Sequence, residues 1–192
     1  MPNNSHQATS APQRSFPGWS WVAVALAIPV AGLIGWQVSG PVDTIAAALI
    51  GGAITGAGVA AVQWWAADGA LGGPAAWITS SAAGYAVGLA AGAALVGYDI
   101  DLASLVLMGF VSGASLGAAQ GIVLMRNGSM RLAAAWAAAM PALFALGWLP
   151  TTAIGVSVEE QFTVFGAAGA VLFMLLSGLV LARFSPSKTQ VA

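Results

Sequence analysis

Residues Gly109–Gly121 read GFVSGASLGAAQG, with glycine at 109, 113, 117 and 121 and no charged residue between Asp101 and Arg126. In a helix, residues four apart stack on one face. These glycines therefore make a strip without side chains, on which a second helix backbone can lie. Glycine costs about 1 kcal/mol relative to alanine in a water-exposed helix, so a soluble helix would rarely carry four in register. In lipid no hydrophobic drive joins helices, and close backbone packing through small residues takes its place. The strip predicts a transmembrane helix pressed against a neighbour.

Composition extends that reading to the whole chain. Charged residues are 6% of the 192 and apolar residues 59%, whereas soluble domains carry about 25% charge. The expected surroundings are a lipid bilayer. A net charge of -1 offers no basic surface to nucleic acid. The absence of cysteine removes disulfides, thiolate nucleophiles and Cys-ligated metals.

Apolar runs of about 20 residues, the length that crosses a bilayer, mark six spans: 19–38, 44–66, 74–97, 102–125, 132–149 and 162–183. The expected fold class is all-α, a six-transmembrane-helix bundle forming one domain over 19–184. Residues 1–18, polar with three prolines, read as a disordered tail, and 185–192 as a short cytoplasmic tail. Trp19–Val38 outruns the h-region of a signal peptide and reads as the first span. Pro74 suits a helix start, and Pro150 stops the fifth span. Pro29 and Pro141 should kink helices one and five, which lipid tolerates where neighbours satisfy the freed carbonyls.

Charge sets an orientation. Arg14, Arg126, Arg131, Arg183 and Lys188, all the basic residues, fall on one side of a six-span chain. Asp43, Asp99, Asp101, Glu159 and Glu160 fall on the other. Because basic residues stay inside, both termini are expected in the cytoplasm, with the protein in a bacterial-type plasma (inner) membrane. Trp19, Trp21, Trp64, Trp65, Trp77 and Trp136 near inner ends, and Trp36 and Trp148 near outer ends, read as two aromatic belts.

The chain also repeats itself. Gly52-x-x-Thr55-Gly56-x6-Gln63 matches Gly109-x-x-Ser112-Gly113-x6-Gln120 at an offset of 57, and span six follows with Gly166, Gly169, Ala170 and Ser177. Odd spans share Trp-x10-Gly, in Trp21/Gly32, Trp77/Gly88 and Trp136/Gly147. Even spans begin beside Asp43, Asp101 and Glu159. Three classes of match in one register describe a helical hairpin repeated three times. Copies two spans apart are parallel, so they can be related by an axis along the membrane normal, giving a pseudo-threefold bundle. Mitochondrial carriers have the same count of hairpins, but their Pro-x-[Asp/Glu]-x-x-[Lys/Arg] signature is missing. The hairpins, with tryptophan on the first helix and a G-x3-G…Gln strip on the second, resemble a family of small bacterial multi-span membrane proteins of uncharacterised function. That resemblance covers about 19–184, lacks the glutamine in its third copy, and implies no activity.

The candidate functional residues are polar groups on the glycine faces. Thr55 and Gln63, and likewise Ser112 and Gln120, share a face with the strip of Gly109, Gly113, Gly117 and Gly121 and are expected to point into the bundle. Ser81 and Tyr85 on span three add hydroxyls, the tyrosine expected to bond a neighbouring carbonyl. One reading is interhelical hydrogen bonding; the other is a polar passage or ligand site. Asp43, Asp101 and Glu159 are expected to cap helix N-termini, a convergent cation site being the alternative. No ionisable group lies deep in a span, so proton relays and ion coupling lack their usual marks. No nucleophile–base pair or metal spacing occurs. The expectation is therefore a protein that is not an enzyme, with no catalytic residues, no metal site and no cofactor. Its leading role is packing or assembly through lipid-embedded contacts, with itself or a larger membrane protein. The alternative is a conduit or pocket for a small neutral or apolar molecule.

Overall fold

The computed structural model describes residues 19–155 and 163–185. It contains α1 (Val22–Ser39), α2 (Ile45–Ala66), α3 (Pro74–Leu95), α4 (Leu102–Arg126), α5 (Met130–Ala153) and α6 (Ala167–Phe184). No strand occurs among the described residues. Each helix is long and apolar enough to cross a membrane, and the chain is a multi-pass membrane protein. The tails expected at 1–18 and 185–192 (Ser185 apart) and the acid Glu159 lie outside the described residues.

Local chemistry explains the starts of α2, α3 and α4. Thr44 caps α2 by accepting from Ala47 N at 3.2 Å. Asp101 caps α4, its Oδ1 accepting from Ala103 N at 2.8 Å and Ser104 N at 3.2 Å. The capping role expected of Asp43 belongs to its neighbour Thr44, whose extended backbone places its side chain over the first turn. Asp43 sits one residue too early. Pro74 opens α3, where a missing N–H costs nothing.

Two boundaries differ from the sequence reading. The fifth helix continues through Pro150 to Ala153. Pro150 lies in the last turn, and the hydroxyls of Thr151 and Thr152 donate to the carbonyls of Gly147 and Trp148 at 3.1 and 2.9 Å. The ring nitrogen leaves Leu146 O without its i→i−4 donor, and the threonine hydroxyls back-bond the two carbonyls that follow it. The sixth helix starts at Ala167, not near Phe162. Residues 163–166 are non-helical and run into the bundle.

The helices form a ring in which each packs on its sequence neighbours and α1 meets α6. Glycine sets the registers. The β-carbons that Gly84, Gly88 and Gly92 lack would strike Leu116, Ser112 and Met108 of α4, in descending order. Those absent from Gly109, Gly113, Gly117 and Gly121 would meet Phe144, Met140, Ala137 and Ala133 of α5. Each series is an antiparallel helix pair at backbone contact. Outward-facing side chains such as Leu26, Val30, Leu107, Phe110, Leu175 and Leu179 are exposed. A bilayer covers such a surface.

Candidate functional site: an axial chamber

The middle of the ring holds a small chamber with about 20 Å³ open to the centre of a water molecule. One water needs about 10–15 Å³ on that measure, so there is room for one or two small groups. Every helix contributes to its wall: Ile28 from α1, Thr55, Val59 and Gln63 from α2, Tyr85 from α3, Leu116 and Gln120 from α4, Phe144 from α5 and Phe173 from α6. Val164 and Phe165, just before α6, complete it. Thr55 and Gln63 are eight residues apart on one helix, so the polar wall spans about 12 Å along the axis.

The end of the chamber nearer Arg126 and Arg131 is closed by an amide–indole network. Gln120 is its centre. Its Nε2 donates to Ser81 Oγ at 2.8 Å and to Gln63 Oε1 at 3.4 Å, and its Oε1 accepts from Trp136 Nε1 at 2.7 Å. Ser81 Oγ in turn donates to Trp77 O at 2.7 Å. On the opposite side of the ring Trp21 Nε1 donates to Ser177 Oγ at 3.2 Å. Trp77 and Trp136 pack ring to ring, with centroids 6.1 Å apart. The indole N–H of Trp77, fully buried, has no acceptor among the described residues. Leu71, Leu124, Leu132 and Leu181, all buried, fill the remaining space in the core.

This corrects the reading of the tryptophans as belts. Trp19 and Trp65 are 76% and 59% exposed, as membrane-interface residues are, but Trp77 and Trp136 are 0% and Trp21 1% exposed. At the opposite end Trp148 is also buried. The Trp-x10-Gly spacing carried the signal: eleven residues are close to three turns, which sets each tryptophan on the inward face of its glycine.

The other end of the chamber is stopped by the segment 163–165. Thr163 and Phe165 are buried. Thr163 Oγ1 lies 3.0 Å from Thr55 Oγ1 and donates to Gly32 O at 3.1 Å. The Tyr85 hydroxyl donates to the carbonyl of Thr163. Three glycines make the seat. A β-carbon at Gly32 would lie 2.5 Å from Val164 Cγ1, one at Gly51 2.6 Å from Thr163 Cγ2, and one at Gly147 2.6 Å from the Phe165 ring. Phe165 then stands edge-on to Phe144 and Trp148, with centroids 5.6 and 6.2 Å apart, in the geometry aromatic quadrupoles favour. The sequence reading placed these residues near the start of the sixth span. Nothing in their own composition marks them as a plug, because the cleft that receives them comes from other helices.

The structure thus gathers Thr55, Gln63, Tyr85 and Gln120 around one space, with Ser81 bonded to Gln120 behind it. Ser112 stands apart. Its hydroxyl donates back to Met108 O at 2.7 Å on the same helix, and it packs beneath Gly88. Gly109, Gly113, Gly117 and Gly121 lie between α4 and α5. Among the described residues, no carboxylate, imidazole, amine or guanidinium lines the chamber. Its available chemistry is hydrogen bonding and apolar contact. No protein-family model matches the chain, and no curated protein or solved structure matches it.

Proposed function

We propose that the protein is a non-catalytic membrane component that holds a small neutral or apolar molecule in the axial chamber. The observation that carries this reading is a space walled by all six helices, with uncharged polar groups at Thr55, Gln63, Tyr85 and Gln120. Pockets for small molecules combine an apolar wall with a few placed polar groups. The wall here has that character at small scale. A role in assembly through the glycine strip has less support, since the strip of α4 is spent on α5 and presents no small-residue face to a partner. Hydrogen-bonded side chains at one axial end and the segment 163–165 at the other support a pocket over a through-passage.

The proposal includes an orientation with both termini in the cytoplasm of a bacterial-type plasma membrane, supported by the side on which the basic residues fall. It also includes construction from three parallel hairpins. The indole–amide pair Trp136–Gln120 and the indole–hydroxyl pair Trp21–Ser177 support that repeat, each joining an odd helix to the even helix before it in the ring.

Purified protein equilibrated with xenon tests the pocket. A protein-bound xenon resonance is expected, and Val59→Phe, which fills the chamber, should abolish it without lowering the melting temperature. An unsubstituted protein with no bound resonance would refute the pocket and return the bundle to a packing role.

A further inference from the structure

The six helix junctions of the ring are not alike. Five are closed by backbone against backbone at a glycine. A β-carbon at Gly35 would lie 2.8 Å from Gly51 O, at Gly52 2.9 Å from Ala86 Cα, at Gly88 2.8 Å from Ser112 Cα, and at Gly109 2.7 Å from Phe144 O. Gly169 of α6 would meet Gly147 O in the same way. Main chain in mid-helix cannot rotate aside, so these junctions open only if whole helices separate. The sixth junction, α1 with α6, is the least extensive contact of the ring. There the glycines face side chains: a β-carbon at Gly178 would lie 3.1 Å from Cδ1 of the Trp21 ring, and one at Gly32 would meet the Val164 side chain. Trp21 and Ser177 share the hydrogen bond across its basic end. At the other end α6 has not yet begun, and the non-helical residues 163–166 stand beside α1.

We propose that this seam is the portal by which a small neutral or apolar molecule passes between the bilayer and the chamber. The inference rests on the pocket reading and adds the source of the occupant, the lipid phase, and its route. Three observations converge on it. The amide–indole network and Thr163–Phe165 stand at the two axial ends of the chamber, which favours entry across the wall. Five of the wall's junctions are main chain on main chain. The remaining junction adjoins the chamber directly, because Ile28 of α1, Val164 and Phe173 of α6 are all lining residues. Side chains can yield by changing rotamer on the nanosecond scale when exposed and more slowly when packed, whereas apposed helix backbones cannot. The occupant favoured by this route partitions into lipid, carries no charge and has only a few heavy atoms.

The seam can be locked in one variant and tested in two states. A β-carbon at Gly32 would stand 3.8 Å from Val164 Cβ, within the 3.5–4.5 Å that a disulfide requires. The chain has no native cysteine, so Gly32→Cys/Val164→Cys forms a single possible disulfide. In proteoliposomes loaded with xenon, saturation transfer between protein-bound and lipid-dissolved xenon measures the exchange rate. Because Val164 lines the chamber, the reduced variant is its own reference, and its exchange rate is the baseline for the oxidised state. Oxidation should slow exchange by about tenfold or more, a rise of ~1.4 kcal/mol in barrier, and reduction should restore it. Trp21→Phe, which removes the N–H donor to Ser177, should speed exchange. Bound xenon that exchanges equally in the oxidised and reduced states, or at an unchanged rate in Trp21→Phe, would overturn the portal and leave the pocket standing. No bound xenon in the unsubstituted protein would overturn both.

Discussion

Replacing Gly113 by alanine puts a methyl group into the backbone of α5. The new β-carbon would meet Met140 O and would lie 2.8 Å from Met140 C and 2.9 Å from Phe144 Cβ. The first two are main-chain atoms in mid-helix, so relief requires α5 to move away as a unit. That movement is resisted along the strip, because Gly109 and Gly117 hold the same helix, with β-carbon positions 2.7 Å from Phe144 O and from Met140 Cβ. Overpacking of a tight contact costs about 1–3 kcal/mol. Alanine recovers part of this through its helix propensity, worth about 1 kcal/mol over glycine in water. The net expectation is a loss of up to about 2 kcal/mol, towards the upper end because two of the three contacts are main-chain atoms. Gly121 supplies the control on the same face. Its β-carbon would sit 3.3 Å from Ala137 Cβ and 3.4 Å from Ala133 O, a fit that a shift of a few tenths of an ångström completes. There the propensity gain and the small strain should cancel to within ~0.5 kcal/mol. Reversible unfolding by SDS titration in mixed micelles, with melting temperatures alongside, reads both variants. If Gly113→Ala is as stable as Gly121→Ala, the α4–α5 contact is not set by backbone approach at Gly113 and the argument fails.

Gln120→Leu should lower stability by about 2 kcal/mol, since it deprives Trp136 and Ser81 of partners in a buried network, whereas Gln63→Leu removes only a 3.4 Å bond and should cost about half that. Equal losses in the same SDS titration would show that Gln120 is not its centre. The Ser104 hydroxyl and then the Ser104 and Ala103 amides hold the Asp101 carboxyl below its ordinary value. Its contribution to stability is therefore full above the ordinary carboxylate range and is lost as pH falls from that range through the lowered folded value. Asp101→Asn should flatten the decline in melting temperature below about pH 5; an unchanged slope would assign it to other acids. Reporter fusions after Asp68 and at Gly128 should read cytoplasmic and fusions near Asp99 the opposite side. Reversed results at two of these turns would end the proposed orientation.

Much of the fold is legible in the chain because membrane spans obey local rules. Length, apolar content and the spacing of small residues are enough to mark six helices, and Gly109–Gly121 is recognisable as a packing surface without knowing what it packs on. The polar members of the chamber are legible as well, since Thr55 and Gln63 lie on the inward glycine face by spacing alone. A glycine strip has no chemical identity, however. Nothing in it says that α4 turns Gly113 to α5 while Ser112 meets Gly88 of α3. The tertiary fold decided that. It also decided that Trp77 and Trp136 lie in the core and not at the membrane surface: Gln120 accepts the hydrogen bond of the Trp136 indole there, and Trp77 packs against the Trp136 ring. The plug at Thr163–Phe165 is the furthest from sequence. Its seat is assembled from Gly32, Gly51 and Gly147 on three helices, and its hydrogen bonds join residues 78, 108 and 131 positions apart. Local propensity governs a few turns of helix at a time, whereas a cleft at the end of a closed ring exists only once α1 and α6, the two ends of the helical chain, have met.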